Sequence, residues 1–250
     1  MIHLRYFLLC LLFSTQLLAQ STPTSSTNTP FVLRIGTMLL PPYGWVDENN
    51  LPQGLIFEMN DEIGKRSHLP YTNTVLPFNR MLKMLKDGQL DLVSSQPHEK
   101  ALDAGDKLAV QHLVNVIIGT KKNSNIHTLE DIKDKHLVYH YSASYPKLTT
   151  IRHSIQRVRS YKQSMELLYE RSWIDGAIFS EPAYYYWMKF FHYDVEDFGT
   201  VIFVEKDIKQ WIFVRKDLPD ALRTKLAKIV DDIFQEKMYE KLLIKYGKPQ

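Results

Sequence analysis

From Phe31 onward, strand-like and helix-like runs alternate along the chain. A sequence built this way folds as α/β with largely parallel strands, because each strand must be returned to the same sheet edge by a crossing helix. FVLRIGTM reads as a strand, and GLIFEMNDEIGKRS places Leu55, Ile56, Met59 and Ile63 on one helical face. YTNTVLP is a second strand. FNRMLKMLKDG repeats apolar residues at Phe78, Met81, Leu82 and Leu85 and stops at Gly88, a natural helix terminator. LDLVSS is a third strand and ends in two hydroxyls. The alternation continues through VNVIIGTKK, TLEDIKD, HLVYHY, SMELLYERS, GAIFS and EPAYYYWMKFF, then closes with the strand WIFVRKD and the helices DALRTKLAKIVDDIFQ and KMYEKLLIKYG.

The segment before Phe31 has a different character. MIHLRYFLLCLLFSTQLLAQ carries Arg5, an apolar run and a terminal Ala19, the pattern of a secretory signal peptide over residues 1–19. Its apolar core is short for a bilayer span, so cleavage near Ala19 or Gln20 is expected in preference to a retained anchor. STPTSSTNTP, within residues 20–30, reads as a flexible leader. The single cysteine, Cys10, falls inside the signal, so the exported chain forms no disulfide and relies on its core for stability. Without Arg5, 30 basic residues face 28 acidic ones, a balance that argues against nucleic acid as a partner.

MLKDGQLDLVSS and LYERSWIDGAIFS each run from a helix end through a turn to an aspartate, Asp91 or Asp175, and a short strand. Such αβ order is common by chance, yet it also fits two similar lobes with a cleft between them, at the carboxyl ends of their strands. His136 and His140 lie on one face of a strand with no further ligand cluster, so no metal site is expected. There is no phosphate-binding glycine loop and no nucleophile elbow, and no cofactor is expected.

Five stretches, in order, resemble the family 3 extracellular solute-binding proteins. They are LRIGTMLLPPYGWVDENNLPQGLIFEMNDEIGKR, KMLKDGQLDLVSSQPHEK, TLEDIKDKHLVYHYSAS, DGAIFSEPAYYY and WIFVRKDLPDALRTKLAKIVDDIFQEKMYEKLLIKYG. The resemblance implies a type II periplasmic binding protein fold: lobe 1 from residues 31–118 and 206–250, lobe 2 from residues 119–205, joined near VNVIIGT and VIFVEKDIKQW. It further implies a periplasmic monomer that closes on a small ligand and presents it to an ABC-type permease or a receptor.

By the same resemblance the ligand-binding residues are Tyr43, Trp45, Arg80, Ser94, Ser95, Lys100, Tyr141, Ser144, Ser180 and Glu181. In PPYGW, two prolines stiffen the exit from the strand so that Tyr43 and Trp45 are presented at a defined place. Two positions depart from the family pattern. Amino-acid binders of this family grip the α-carboxylate with an arginine, where this chain has Lys100, and hold the ammonium with an aspartate, where it has Ser180. A small polar ligand with an anionic or carbonyl group, and with an aromatic or planar part, is therefore expected, non-amino carboxylates binding better than α-amino acids, with Arg80 supplementing Lys100. The resemblance also admits an exported enzyme of the cyclohexadienyl dehydratase kind, with Glu181 as its proton donor, and a protein whose cleft no longer binds.

Overall fold

The computed structural model describes residues 31–141 and 145–249. The signal and leader expectations, and Ser144, lie outside the described residues. In chain order the elements are β1 (Leu33–Met38), β2 (Trp45–Val46), β3 (Pro52–Gln53), α1 (Leu55–Ser67), β4 (Tyr71–Leu76), α2 (Phe78–Lys86), β5 (Leu92–Ser95), α3 (Glu99–Ala104) and β6 (Asp106–Thr120). There follow β7 (His136–His140), α4 (Pro146–Thr149), β8 (Ser154–Val158), α5 (Tyr161–Glu170), β9 (Gly176–Ser180), α6 (Glu181–Phe190), β10 (Ile202–Val214), α7 (Asp220–Gln235) and α8 (Met238–Lys245).

Eight strands form one sheet in the order β4-β1-β5-β10-β6-β9-β7-β8. The outer trios, β4-β1-β5 and β9-β7-β8, are parallel within themselves, whereas β10 and β6 run antiparallel to each other and to the trio strands they meet. The register fixes how the trios face. At the end of β5, Ser95 pairs with Trp211, which pairs with Val110 of β6, while at the end of β9, Ser180 pairs with Val116 of the same strand. The carboxyl ends of the two trios therefore point at each other across six steps of β6, about 20 Å of extended chain.

Each trio has its own apolar packing. Leu33, Ile35, Met59, Ile63, Ile212 and Val230 pack β1, β10, α1 and α7 together on one face of the first trio, while Met81, Leu85, Val93 and Phe213 close its other face under α2 and α3. On the second trio, Ile117, Met165, Leu168, Phe179 and Tyr184 form the core beneath α5 and α6, and Ile118, Leu137 and Ile178 the opposite one. The spacing of apolar residues in α1 and α2 is what places these faces inward, and Gly88, at φ 68°, ends α2 in a left-handed conformation that costs glycine little.

The two aspartates of the repeated stretches perform the same task. Asp91 N–H donates to Arg34 O at 2.7 Å and its carboxylate accepts from Arg34 N–H at 2.8 Å. Asp175 N–H donates to His136 O at 2.9 Å and its carboxylate accepts from His136 N–H at 2.8 Å. In both trios an aspartate thus fastens the start of one strand to its parallel neighbour. Asp91 is fully buried and adds ion pairs at 2.7 Å to the guanidinium groups of Arg34 and Arg215, so it also ties the returning strand β10 to β1.

Burial alone would raise the Asp91 pKa, but the hydrogen bonds from Arg34 and Arg215 outweigh it and hold the carboxyl below its ordinary 3.8. Its contribution is therefore present above the unfolded-state value near 3.8 and is lost as pH falls through the depressed folded value. Asp91→Asn is expected to lower unfolding free energy by about 3 kcal/mol at pH 7, because it leaves two guanidinium groups without their buried partner. Urea denaturation at pH 7 and across the acid range measures both effects.

Candidate functional site

The loop after β1 is pinned from an unexpected direction. The amide N–H of Leu55 donates to Pro42 O at 2.9 Å, and those of Ile56 and Phe57 donate to Tyr43 O at 2.9 and 3.1 Å. These are amides of the first turn of α1, which have no partner inside the helix. Gly54 makes the approach possible: at φ 131°, a Cβ there would lie 2.5 Å from Tyr43 O. The prolines of PPYGW stiffen the loop, and the helix start fixes where its tyrosine goes.

Tyr43 is 6% exposed, and its phenol comes close to Ser180 and Tyr161 of the opposite trio and to Glu181. Burial pushes the Tyr43 phenol far up, as it does for Tyr161 and Tyr239. All three remain neutral near pH 7 and act as hydroxyls that both donate and accept. Ser180 Oγ faces the Tyr43 and Tyr161 phenols, and Tyr239 Oη is buried without a hydrogen-bond partner among the described residues. Four hydroxyls from β9, α5, α8 and the β1 loop are thus gathered where the two sets of strand ends meet.

Glu181, 8% exposed, follows Ser180 directly. Its Oε2 accepts from Asn115 Nδ2 of β6 at 2.7 Å, and its Oε1 pairs with Lys248 Nζ at 3.0 Å. Glu181 contributes to the fields felt by Tyr43, Tyr185 and Tyr239, which places its charge beside the hydroxyl group.

On the first trio, Ser94 lies in a chain of buried amides. Ser94 Oγ donates to Gln111 Oε1 at 2.6 Å, Gln111 Nε2 to Asn60 Oδ1 at 2.9 Å, and Asn60 Nδ2 to Thr37 Oγ1 at 2.9 Å. Thr37 in turn donates to Asn73 Oδ1 at 2.8 Å. Ser95 donates to Gln96 O at 3.0 Å. Arg80 and Lys100 stand in the first turns of α2 and α3, the helices that leave the carboxyl ends of β4 and β5. The two helix starts are joined by the Phe78 and His98 rings, 5.5 Å apart, and the charge of Lys100 reaches His98, whose pKa is lowered by burial and then by that charge. Both basic side chains are exposed, and neither makes an ion pair among the described residues.

Two further expected residues make ring contacts of their own. Trp45 packs its ring between Tyr186 and Tyr246, at 5.4 and 5.7 Å. Tyr141 is 61% exposed beside His140, at a ring separation of 4.9 Å. Sequence reasoning did not single out Tyr161, Tyr239, Gln111, Asn60 or Asn115. For Asn60 a signal existed, since it is a polar residue between the core positions Met59 and Ile63. No group of three or more metal-ligating residues occurs among the described residues, and among them no helix is long and apolar enough to cross a membrane.

Two mostly parallel α/β lobes, spliced by a pair of long antiparallel strands and facing each other at their strand ends, define a type II periplasmic binding protein fold. Residues 33–249 match the family described as bacterial extracellular solute-binding proteins, family 3, and the chain belongs to it. Similar solved structures include the GluR0 ligand-binding core in complex with L-glutamate, with 11% identity, a TM-score of 0.72, and 88% of this chain and 100% of that chain covered. Substrate-binding domain 2 of GlnP from Lactococcus lactis, in an open conformation, aligns with 18% identity and a TM-score of 0.68, covering 90% of this chain and 98% of its own. An ancestral arginine-binding protein bound to arginine aligns with 19% identity and a TM-score of 0.65, covering 86% and 97%. No curated protein matches the chain.

His112 of β6 stacks on Tyr239 at 4.2 Å, and burial lowers its pKa from 6.5 to about 3. The folded chain keeps this imidazole neutral, so its contribution is present above the unfolded value of 6.5 and is lost as pH falls toward about 3. His112→Phe keeps a stacking ring without a titrating group. Its melting temperature, followed from pH 7 to pH 4, is expected to fall less steeply than that of the wild type.

Proposed function

We propose that this chain is a periplasmic, non-catalytic solute-binding protein. It captures a small polar, carboxylate-bearing ligand between its lobes and delivers it as a monomer to an ABC-type permease or a receptor. The lobes are residues 31–118 with 206–250, and residues 119–205. A signal peptide over residues 1–19 directs export. The observation that carries the reading is the gathering of Tyr43, Tyr161, Ser180 and Tyr239 at opposed strand ends, with the exposed cations Arg80 and Lys100 on helices that start from the same edge. Ligands of open α/β sheets bind at that edge.

The division of labour is chemical. Arg80 and Lys100 supply positive charge for a carboxylate, and the hydroxyls supply neutral hydrogen-bonding groups for the rest of the molecule. Closure of the lobes follows if the ligand interacts more favourably with the closed arrangement than with the open one. The enzyme alternative draws no support from Glu181, whose two oxygens are taken by Asn115 and Lys248.

Titration calorimetry against organic acids, amino acids and small peptides tests the proposal. Saturable binding of at least one carboxylate is expected, with a smaller radius of gyration by X-ray scattering on addition of the binder. The double variant Arg80→Ala, Lys100→Ala is expected to bind it about tenfold or more weakly, at an unchanged melting temperature, because charge-assisted hydrogen bonds contribute roughly 1.5–3 kcal/mol. Absence of saturable binding by folded protein across the panel would overturn the reading.

A further inference from the structure

Two carboxylates are buried among the described residues, Asp91 and Glu181. Asp91 is used up in fastening β1, β5 and β10. Glu181 lies at the meeting of the strand ends, beside Tyr43 and Tyr239, where it could hold the cationic group of a ligand. It is instead held by the chain's own Lys248, at 3.0 Å, from the segment that follows α8.

That segment is placed for the task. α8 packs beside α1, where Lys245 Nζ donates to both oxygens of Glu58, at 2.7 and 2.8 Å, and the Tyr246 hydroxyl donates to the same carboxylate. Gly247 then turns at φ 124°, with Tyr185 O 3.1 Å from the position of a Cβ, and this turn carries the chain from α8 onto α6. The Lys248 side chain is 37% exposed whereas that of Glu181 is 10% exposed. An accessible ammonium is thus laid over a carboxylate that the fold has removed from water.

We propose that Lys248 is a specificity-determining residue: its ammonium occupies the cation position at Glu181, so the site accepts carboxylates that bring no ammonium of their own. This rests on the reading of the region as the ligand site. The physical ground is that a buried carboxylate needs one counter-charge. With Lys248 in place, a ligand ammonium would lose its water and meet only hydroxyls and an already neutralised acid. With Lys248 removed, Glu181 takes the best available cation, and a ligand ammonium is the natural candidate.

The test measures matched pairs by calorimetry, lactate against alanine and phenyllactate against phenylalanine, on wild type, Lys248→Met and Lys248→Arg. In the wild type the hydroxy acid of a pair is expected to bind at least tenfold more tightly. In Lys248→Met the preference is expected to shift at least tenfold toward the amino acid, and in Lys248→Arg to stay at the wild-type ratio. Adding Glu181→Gln to Lys248→Met is expected to abolish the shift, which a purely structural role of Lys248 would not produce. Equal ratios in all variants, or an amino-acid preference in the wild type, would overturn the assignment of Lys248 while leaving the site itself intact. Folded protein that binds none of the four compounds in any variant overturns this assignment, and failure across the wider panel as well overturns the site.

Discussion

The antiparallel pairing of β6 with β10 is the constraint on which everything else depends. β5 pairs with the far end of β10 and β9 with the far end of β6, and the opposite directions of those pairings force the two parallel trios to point toward each other. Parallel trios alone would present their carboxyl ends to solvent. Joined through this pair, they present them to one another, with β6 residues 111–115 between. Those residues are themselves part of the arrangement: Gln111 holds Ser94, His112 supports Tyr239, and Asn115 holds Glu181. The strand that fixes the geometry therefore also positions the polar groups.

Polar groups are distributed unequally across this region. Its buried part carries hydroxyls, neutral near pH 7, and a carboxylate compensated from within the chain, whereas the cations Arg80 and Lys100 stand exposed. Full charges cost far more than hydroxyls to remove from water, so free charges stay exposed while neutral hydroxyls can be buried. The aromatic surroundings follow the same logic, since a tyrosine buries a ring while keeping a hydrogen-bonding tip.

The fold was legible in the sequence because its signals are local. Apolar spacing in α1 and α2, the stop at Gly88 and the alternation of elements depend on near neighbours, and the order of five motifs pointed to the family that residues 33–249 match. The contacts around the candidate site are different in kind. That the amides of α1 receive Tyr43 O, that Ser94 is bound to Gln111 and Asn60, or that Lys248 meets Glu181 depends on tertiary pairings between residues far apart in the chain. Trp45 illustrates the gap: nothing in PPYGW tells that β2 sets its ring between Tyr186 and Tyr246. The repeated aspartates are the converse case, a weak echo in sequence with one clear physical task in both trios.

Tyr239 links the geometry to the proposed binding. Its hydroxyl is buried without a partner among the described residues, and a buried polar group left unpaired costs about 1–3 kcal/mol. Tyr239 comes from α8, which packs with the first trio, whereas Ser180 ends β9 of the second and faces the phenols of Tyr43 and Tyr161. A molecule that offered the Tyr239 hydroxyl a hydrogen bond would remove that penalty. A ligand shifts a conformational equilibrium only by its differential affinity for the two states, so under the proposed function these hydroxyls are the groups through which binding would favour one arrangement of the lobes.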